Sequence, residues 1–182
     1  GAMLTACDRL TTNAGMQQTL ARAEGLTRRA QRLVVDRKAL AREFAEAEIS
    51  KDFRANGSIS PGDPEYRALA EGGFADWRLT IDGLVERPMA LTLAQLRGLP
   101  ARTQITRHDC VEGWSAIGKW SGARLGPLLD KAGLKPQARY IVFHCADMLD
   151  PNVSAALGRY YESIDLIDAY HPQTILSYGL NN

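Results

Sequence analysis

The chain has 182 residues, enough for one medium domain with a buried core, and its 45% apolar and 24% charged residues are ordinary for a globular protein. A formal net charge of +1 excludes a strong basic field for nucleic acid or an acidic membrane surface, and no stretch approaches the roughly 18 apolar residues of a membrane span. The three cysteines, Cys7, Cys110 and Cys145, form neither a CxxC pair nor a zinc-type spacing, so each is read alone.

Gly1-Ala2-Met3 has the form of a cleaved-tag scar and is set aside. Leu4-Thr5-Ala6-Cys7 fits the small-residue pattern before a lipid-modified cysteine, the expectation being an exported, periplasmic protein with its signal peptide trimmed and Cys7 as a lipid anchor. A chance tetrapeptide is the other reading. Residues 1–15 are accordingly expected to be tag scar plus a flexible or lipoprotein-like N-terminus. Thr27-Arg28-Arg29 resembles a twin-arginine signal only faintly, since Asp36, Arg37 and Lys38 follow; a helix surface explains it.

Across 16–48, Met16, Leu20, Ala23, Leu26, Ala30, Leu33, Leu40 and Phe44 recur at helical intervals among Arg and Glu, predicting a helical segment interrupted near Gly25. Residues 49–73 form a loop-rich connection punctuated by Asn56-Gly57, Pro61-Gly62 and Asp63-Pro64, with a short helix at Glu65–Ala70. The last unit, 74–182, opens with a strand at Trp77–Ile81, a turn at Asp82-Gly83 and a return strand from Leu84-Val85 that Pro88 confines to an edge or end. Thr92 and Gln95 have capping-box spacing and predict a helix through Arg97, closed by Gly98. Thr103–Arg107 alternates as a strand that delivers His108, Asp109 and Cys110 at its end. Leu125–Ala132 reads as an amphipathic helix stopped by Gly133. Tyr140–Phe143 reads as a strand buried on both faces. Strands at Tyr160–Ile164 and Thr174–Tyr178 flank a turn of helix at Asp165–Tyr170. Strands with brief intervening helices, preceded by a helical segment, make the fold class α+β.

The chemistry concentrates in Arg107-His108-Asp109-Cys110-Val111-Glu112-Gly113-Trp114-Ser115. A cysteine at a strand end before a glycine turn is placed to project its sulfur into a cleft, and Arg107 and His108 favour the thiolate, a soft ligand or a nucleophile. By composition alone, a small buried core cysteine is the commoner fate, as core packing is for Trp114 and Trp120.

These residues resemble the molybdopterin-binding domain of the sulfite oxidase family, nearest its bacterial periplasmic methionine sulfoxide reductase branch. The likeness rests on Trp77–Val85 with its Asp-Gly turn, Arg107–Ser115, Arg139–Cys145, and His171-Pro172 leading into Leu176–Leu180. The resemblance implies a mixed α/β domain around one molybdenum pyranopterin, catalysing oxygen-atom transfer as an oxidoreductase, with Cys110 as metal ligand. It places Glu112 beside the metal as a proton relay, against a surface or structural carboxylate as the alternative. Arg107, His108, Cys145 and, more loosely, Asn56 with Phe53 and Arg54 fall at cofactor-contacting positions. His144 and His171 are read as packing or capping residues. Val111-Glu112-Gly113-Trp114 stands where sulfite-oxidising members carry small and paired basic residues, which disfavours sulfite; the branch it resembles implies a sulfoxide as one candidate substrate. A small-molecule or protein-bound oxidised substrate and a membrane haem-containing electron-transfer subunit are the implied partners; no nucleic acid is.

The family continues beyond the position of Asn182 with a Gly-Pro-Arg loop and basic residues that grip the pterin phosphate. Residues 74–182 are therefore expected to be a C-terminally incomplete domain that alone holds cofactor poorly. Two other functions stay open at this point: a cofactor-free domain used for binding or assembly, and a metal-independent cysteine enzyme using Cys110 with His108, His144 or His171.

Overall fold

A computed structural model describes residues 13–34, 36–54, 62–110, 112–148 and 158–182. Cys7 and Asn56 lie outside them. The chain divides into two compact units, 1–39 and 40–182.

Among its described residues the first unit holds one helix, α1 (Ala14–Val34), begun by Asn13, whose side-chain oxygen accepts from the Gly15 and Met16 amides. It runs through Gly25 without a break. The helical periodicity read over 16–48 divides at its end. Asp36 turns the chain, its carboxylate accepting from Lys38 N–H and its carbonyl from Ala39 N–H. Leu40 and Phe44 keep helical spacing but sit on an otherwise non-helical strap that includes a single 3₁₀ turn, Glu46–Glu48.

The second unit holds α2 (Pro64–Glu71), α3 (Leu93–Arg97), α4 (Leu125–Ala132) and α5 (Leu166–Ala169) with seven strands among the described residues. These are β1 (Arg78–Ile81), β2 (Met89–Thr92), β3 (Ala101–Asp109), β4 (Ser115–Arg124), β5 (Tyr140–Met148), β6 (Arg159–Asp165) and β7 (Ile175–Leu180). They pair antiparallel as β1-β2, β3-β4-β7 and β5-β6. The mixed helix-and-sheet class expected from the sequence is what is found.

Local chemistry explains most boundaries. Asp63 caps α2 by accepting from Glu65 and Tyr66 N–H, with Pro64 at the first helical position where its missing donor costs nothing. Thr92 and Gln95 form the reciprocal capping box that starts α3. Gly133, at φ +72°, ends α4 in a left-handed conformation that disfavours any side chain with a Cβ.

The return strand differs from its prediction. It begins after Pro88, pairing Ile81 with Met89 and Arg78 with Thr92. Leu84–Arg87 instead closes the end of α4. Glu86 N–H donates to Gly133 O, Arg87 N–H to Ala132 O, and the Arg87 guanidinium to the Lys131 and Asp130 carbonyls. Carbonyls at a helix end lack intrahelical donors, and this segment supplies them.

Tyr140–Phe143 is also not buried on both faces. Ile141 and Phe143 point inward, while Tyr140 is 58% and Val142 48% exposed. The core gathers Leu125 and Leu129 of α4 with Ala169 of α5, and Leu134, Ile141, Phe143, Ile164 and Leu176 pack on it.

Candidate active site

Strands β3 and β4 form a long hairpin in continuous register from Ala101↔Ala123 to Asp109↔Ser115. Beyond that pair, Cys110 N–H donates to Trp114 O at 2.9 Å and Gly113 N–H to Cys110 O at 2.9 Å. Gly113 sits at φ +88°, a conformation open to glycine, and it lets the chain reverse within this tip. Cys110 is thereby presented at the tip, half-buried and outside any disulfide. It is not sealed in an apolar interior.

Alternation along the hairpin separates two faces. His108 pairs across the strands with Ala116, on the same face as Gly118 and Trp120. Phe53, from the strap, lies over this face. A Cβ on Gly118 would be 2.9 Å from Phe53 Cε2, so glycine makes the seat for that ring. Phe53 meets Trp120 at 5.3 Å and Trp114 at 6.0 Å, both near-perpendicular, and His108 lies 5.4 Å from Trp114. The result is a half-buried wall of aromatic rings beside the cysteine turn.

The strap that delivers Phe53 is fastened along the hairpin. Phe44 N–H donates to Ile105 O on β3, and Ser50 exchanges two 2.9 Å hydrogen bonds with Ile117 on β4. Glu43 pairs with Arg102, and Glu46 with Lys119 at 3.0 Å. Gln173 anchors its start, accepting from Ala41 N–H at 2.6 Å and donating to Ala41 O at 3.1 Å.

The opposite face carries charge. Arg107 donates to the Asp109 carboxylate, whose other partner is the Ser115 hydroxyl at 2.5 Å. The Ser115 and Arg107 hydrogen bonds hold the Asp109 carboxyl below its ordinary pKa despite some desolvation.

Of the residues singled out from sequence, Cys110, Glu112 and His108 share the hairpin end. Glu112 is exposed there and accepts from the Trp114 indole N–H at 2.9 Å. Arg107 is on the strand beside them, engaged by Asp109 on the other face. Cys145 belongs to the β5-β6 sheet, in a bulge where the register passes from His144↔Tyr161 to Met148↔Arg159. Burial, then the Asp147 and Glu162 carboxylates, push its thiol pKa up. His171 accepts from Gln173 N–H at 3.2 Å, the capping role expected of it. Sequence reasoning missed the Trp114–Glu112 contact, the strap and the Gln173–Ala41 anchor. The indole donor two residues from a carboxylate was the one available signal.

Among the described residues no three His, Cys, Asp or Glu side chains cluster as a metal cage. A metal at Cys110 would take one soft donor from this hairpin and the others from the group that carries it. A half-buried thiol on an outward-turned tip, walled by aromatic rings, fits such a group.

The family "Oxidoreductase molybdopterin binding domain" matches residues 68–182, more than half of the chain. The chain belongs to this family.

As a molybdopterin-binding domain it has curated relatives. It is 38% identical over 176 residues to a candidate protein-methionine-sulfoxide reductase subunit, YedZ1, of Azospira oryzae, covering 97% of this chain and 61% of that protein. It is 32% identical over 114 residues to the protein-methionine-sulfoxide reductase catalytic subunit MsrP of Xanthomonas campestris, covering 59% of this chain and 35% of MsrP. The chain thus spans less than two thirds of either relative. Among solved structures, it is similar to the sulfane dehydrogenase SoxCD from Paracoccus pantotrophus, with a TM-score of 0.47 and 21% identity over 59% of this chain and 30% of that one.

Proposed function

We propose that the protein carrying this domain is a molybdenum-dependent oxidoreductase that reduces sulfoxides, with Cys110 as the protein ligand to the metal. The observation that carries the reading is the half-buried Cys110 thiol on its glycine-turned hairpin tip, beside the aromatic wall of Phe53, His108, Trp114 and Trp120. When bound, the molybdopterin supplies two-electron oxygen-atom transfer, chemistry that no side chain provides alone.

The residues of this chain have simpler tasks. Cys110, as thiolate, holds the metal. The aromatic rings shield one side of the site from water, and those of Phe53 and Trp120 offer faces to a substrate sulfur and its methyl group. Reduction of a sulfoxide takes up two electrons and two protons and releases the thioether and water. Glu112, exposed at the same tip, is placed to pass protons from solvent toward the departing oxygen. The Cys110 N–H donates to Trp114 O, which fixes the backbone that carries the thiol.

The names of the relatives support oxidised methionine in proteins as the substrate class. Electrons would come from a membrane haem-containing subunit, and the protein would work after export, anchored through Cys7. Asn56, His108, Arg107 and Cys145 are assigned to cofactor contact in this reading, with His108 nearest the thiol along the chain.

Metal analysis of the full-length protein from a cofactor-competent host tests the assignment. Wild type should hold about one molybdenum per chain, Cys110→Ala should fall to background, and Cys145→Ala should fall only in part. Equal molybdenum in wild type and Cys110→Ala overturns it.

A further inference from the structure

We infer that Trp114 is a positioning residue whose indole N–H sets the orientation of the Glu112 carboxylate at the hairpin tip. This rests on the proposed role of Glu112 as the proton-handling group.

An indole nitrogen is a donor only, so its direction dictates where an acceptor must lie. Trp114 Nε1 is 2.9 Å from Glu112 Oε2, within ordinary hydrogen-bond range. Glu112 is exposed, and a glutamate in solvent samples many rotamers unless a partner selects one.

The donor is itself held. The Trp114 ring stands at 85° to Phe53 with centroids 6.0 Å apart, and at 47° to His108 at 5.4 Å. Phe53 in turn is seated over Gly118, on a strap fastened at Phe44 and Ser50. The plane of the indole, and with it the direction of the N–H, is therefore set by packing rather than by solvent.

Trp114 also holds the other reactive residue, since its carbonyl accepts from Cys110 N–H at 2.9 Å. One residue thus ties the backbone of the thiol and the side chain of the carboxylate. Gly113, at φ +88°, allows the turn in which both ties close. Trp114 acts through these two groups, its carbonyl on the cysteine backbone and its indole N–H on the carboxylate.

Trp114→Phe keeps an aromatic ring and deletes the donor. In the full-length holoenzyme, turnover should fall on the order of 10-fold in Trp114→Phe with molybdenum content unchanged, the scale of a misplaced catalytic group. Added to Glu112→Ala, the same change should alter turnover by less than about 2-fold, because the two residues act as one unit. Wild-type turnover in Trp114→Phe, or full additivity of the two losses, overturns the inference.

An independent readout needs no metal. In full-length protein labelled with carbon and nitrogen isotopes, the Trp114 indole N–H is assigned through bonds to its own backbone, independently of any variant. In Glu112→Ala that resonance should shift, and its solvent exchange should quicken by about 10-fold as the bond is lost. An unmoved resonance with unchanged exchange overturns the inference even where Trp114→Phe fails to fold. The measurement does not depend on where molybdenum binds, so failure of the Cys110 assignment is seen separately, in metal content alone.

Discussion

Gly122 on β4 and Leu176 on β7 approach so closely that a Cβ on Gly122 would sit 2.3 Å from the Leu176 carbonyl oxygen. The register shifts between Ser121 and Gly122, which drives the two backbones together, and the atoms in the way are backbone held by the ladder. Nothing flexible is available to give. Gly122→Ala should destabilise the unit by about 3 kcal/mol, the upper range for overpacking, read as a lower denaturant midpoint. Gly25→Ala is the contrast: nothing lies within 4 Å of its Cβ position, and it is in a helix interior. That change should add roughly 0.5–1 kcal/mol to α1 stability, seen as increased helicity on heating. A harmless Gly122→Ala would mean that the β4-β7 approach is looser than described.

That same closeness explains what the sequence hid. β4 carries Gly118 and Gly122 among small residues, a composition that argues against a strand by propensity. Both glycines are there for tertiary reasons, one seating Phe53 and the other admitting β7. Capping chemistry, by contrast, is local, so Thr92-Gln95 and Gly133 were readable from their neighbours alone. The strap was misread because Leu40 and Phe44 keep helical spacing while the backbone of Ala41 bonds to Gln173 and that of Phe44 to β3, partners far away in sequence. At the site, Cys110 and Glu112 were visible as a motif. Their dependence on Trp114 and Phe53 follows from ring geometry, which spacing does not encode.

Gln173 offers a test of the strap. It is 8% exposed, and its amide serves both Ala41 N–H and Ala41 O, while its carbonyl accepts from Gln104 Nε2 at 3.0 Å. Gln173→Ala should cost about 2 kcal/mol, since two backbone groups lose their partners in a half-buried place. Hydrogen exchange of amides 41–53 should quicken more than exchange in α4. Uniform acceleration throughout the unit would show instead that the strap has no independent opening.

Asp109 gives a pH dependence with a definite sign. Ser115 and Arg107 lower its pKa in the folded chain, so the native state binds its proton less readily than the unfolded state does. Its contribution to stability is then present above the unfolded value, about 3.9, and is lost as pH falls through the depressed folded value. Asp109→Asn should lower the denaturant midpoint at neutral pH, and the gap from wild type should close on acidification. A gap that widens at low pH would contradict the hydrogen bonding at the hairpin end.

Cys145 allows a chemical test of the second sheet. Burial is the main reason its thiol titrates high, followed by the Asp147 and Glu162 carboxylates, which repel a thiolate. Alkylation proceeds through the thiolate, so a raised pKa slows it. Glu162→Gln removes one repelling charge but leaves the burial, and the rate at Cys145 near pH 8 should rise only roughly 2- to 3-fold, less at high salt. Peptide-resolved mass spectrometry after timed iodoacetamide treatment separates Cys145 from Cys110. An unchanged or slower rate would remove Glu162 from its surroundings. A faster rate supports a Cys145 that stays a neutral thiol near neutral pH. In that form it can touch a cofactor but is a poor metal ligand, and for that reason its loss should weaken molybdenum retention without abolishing it.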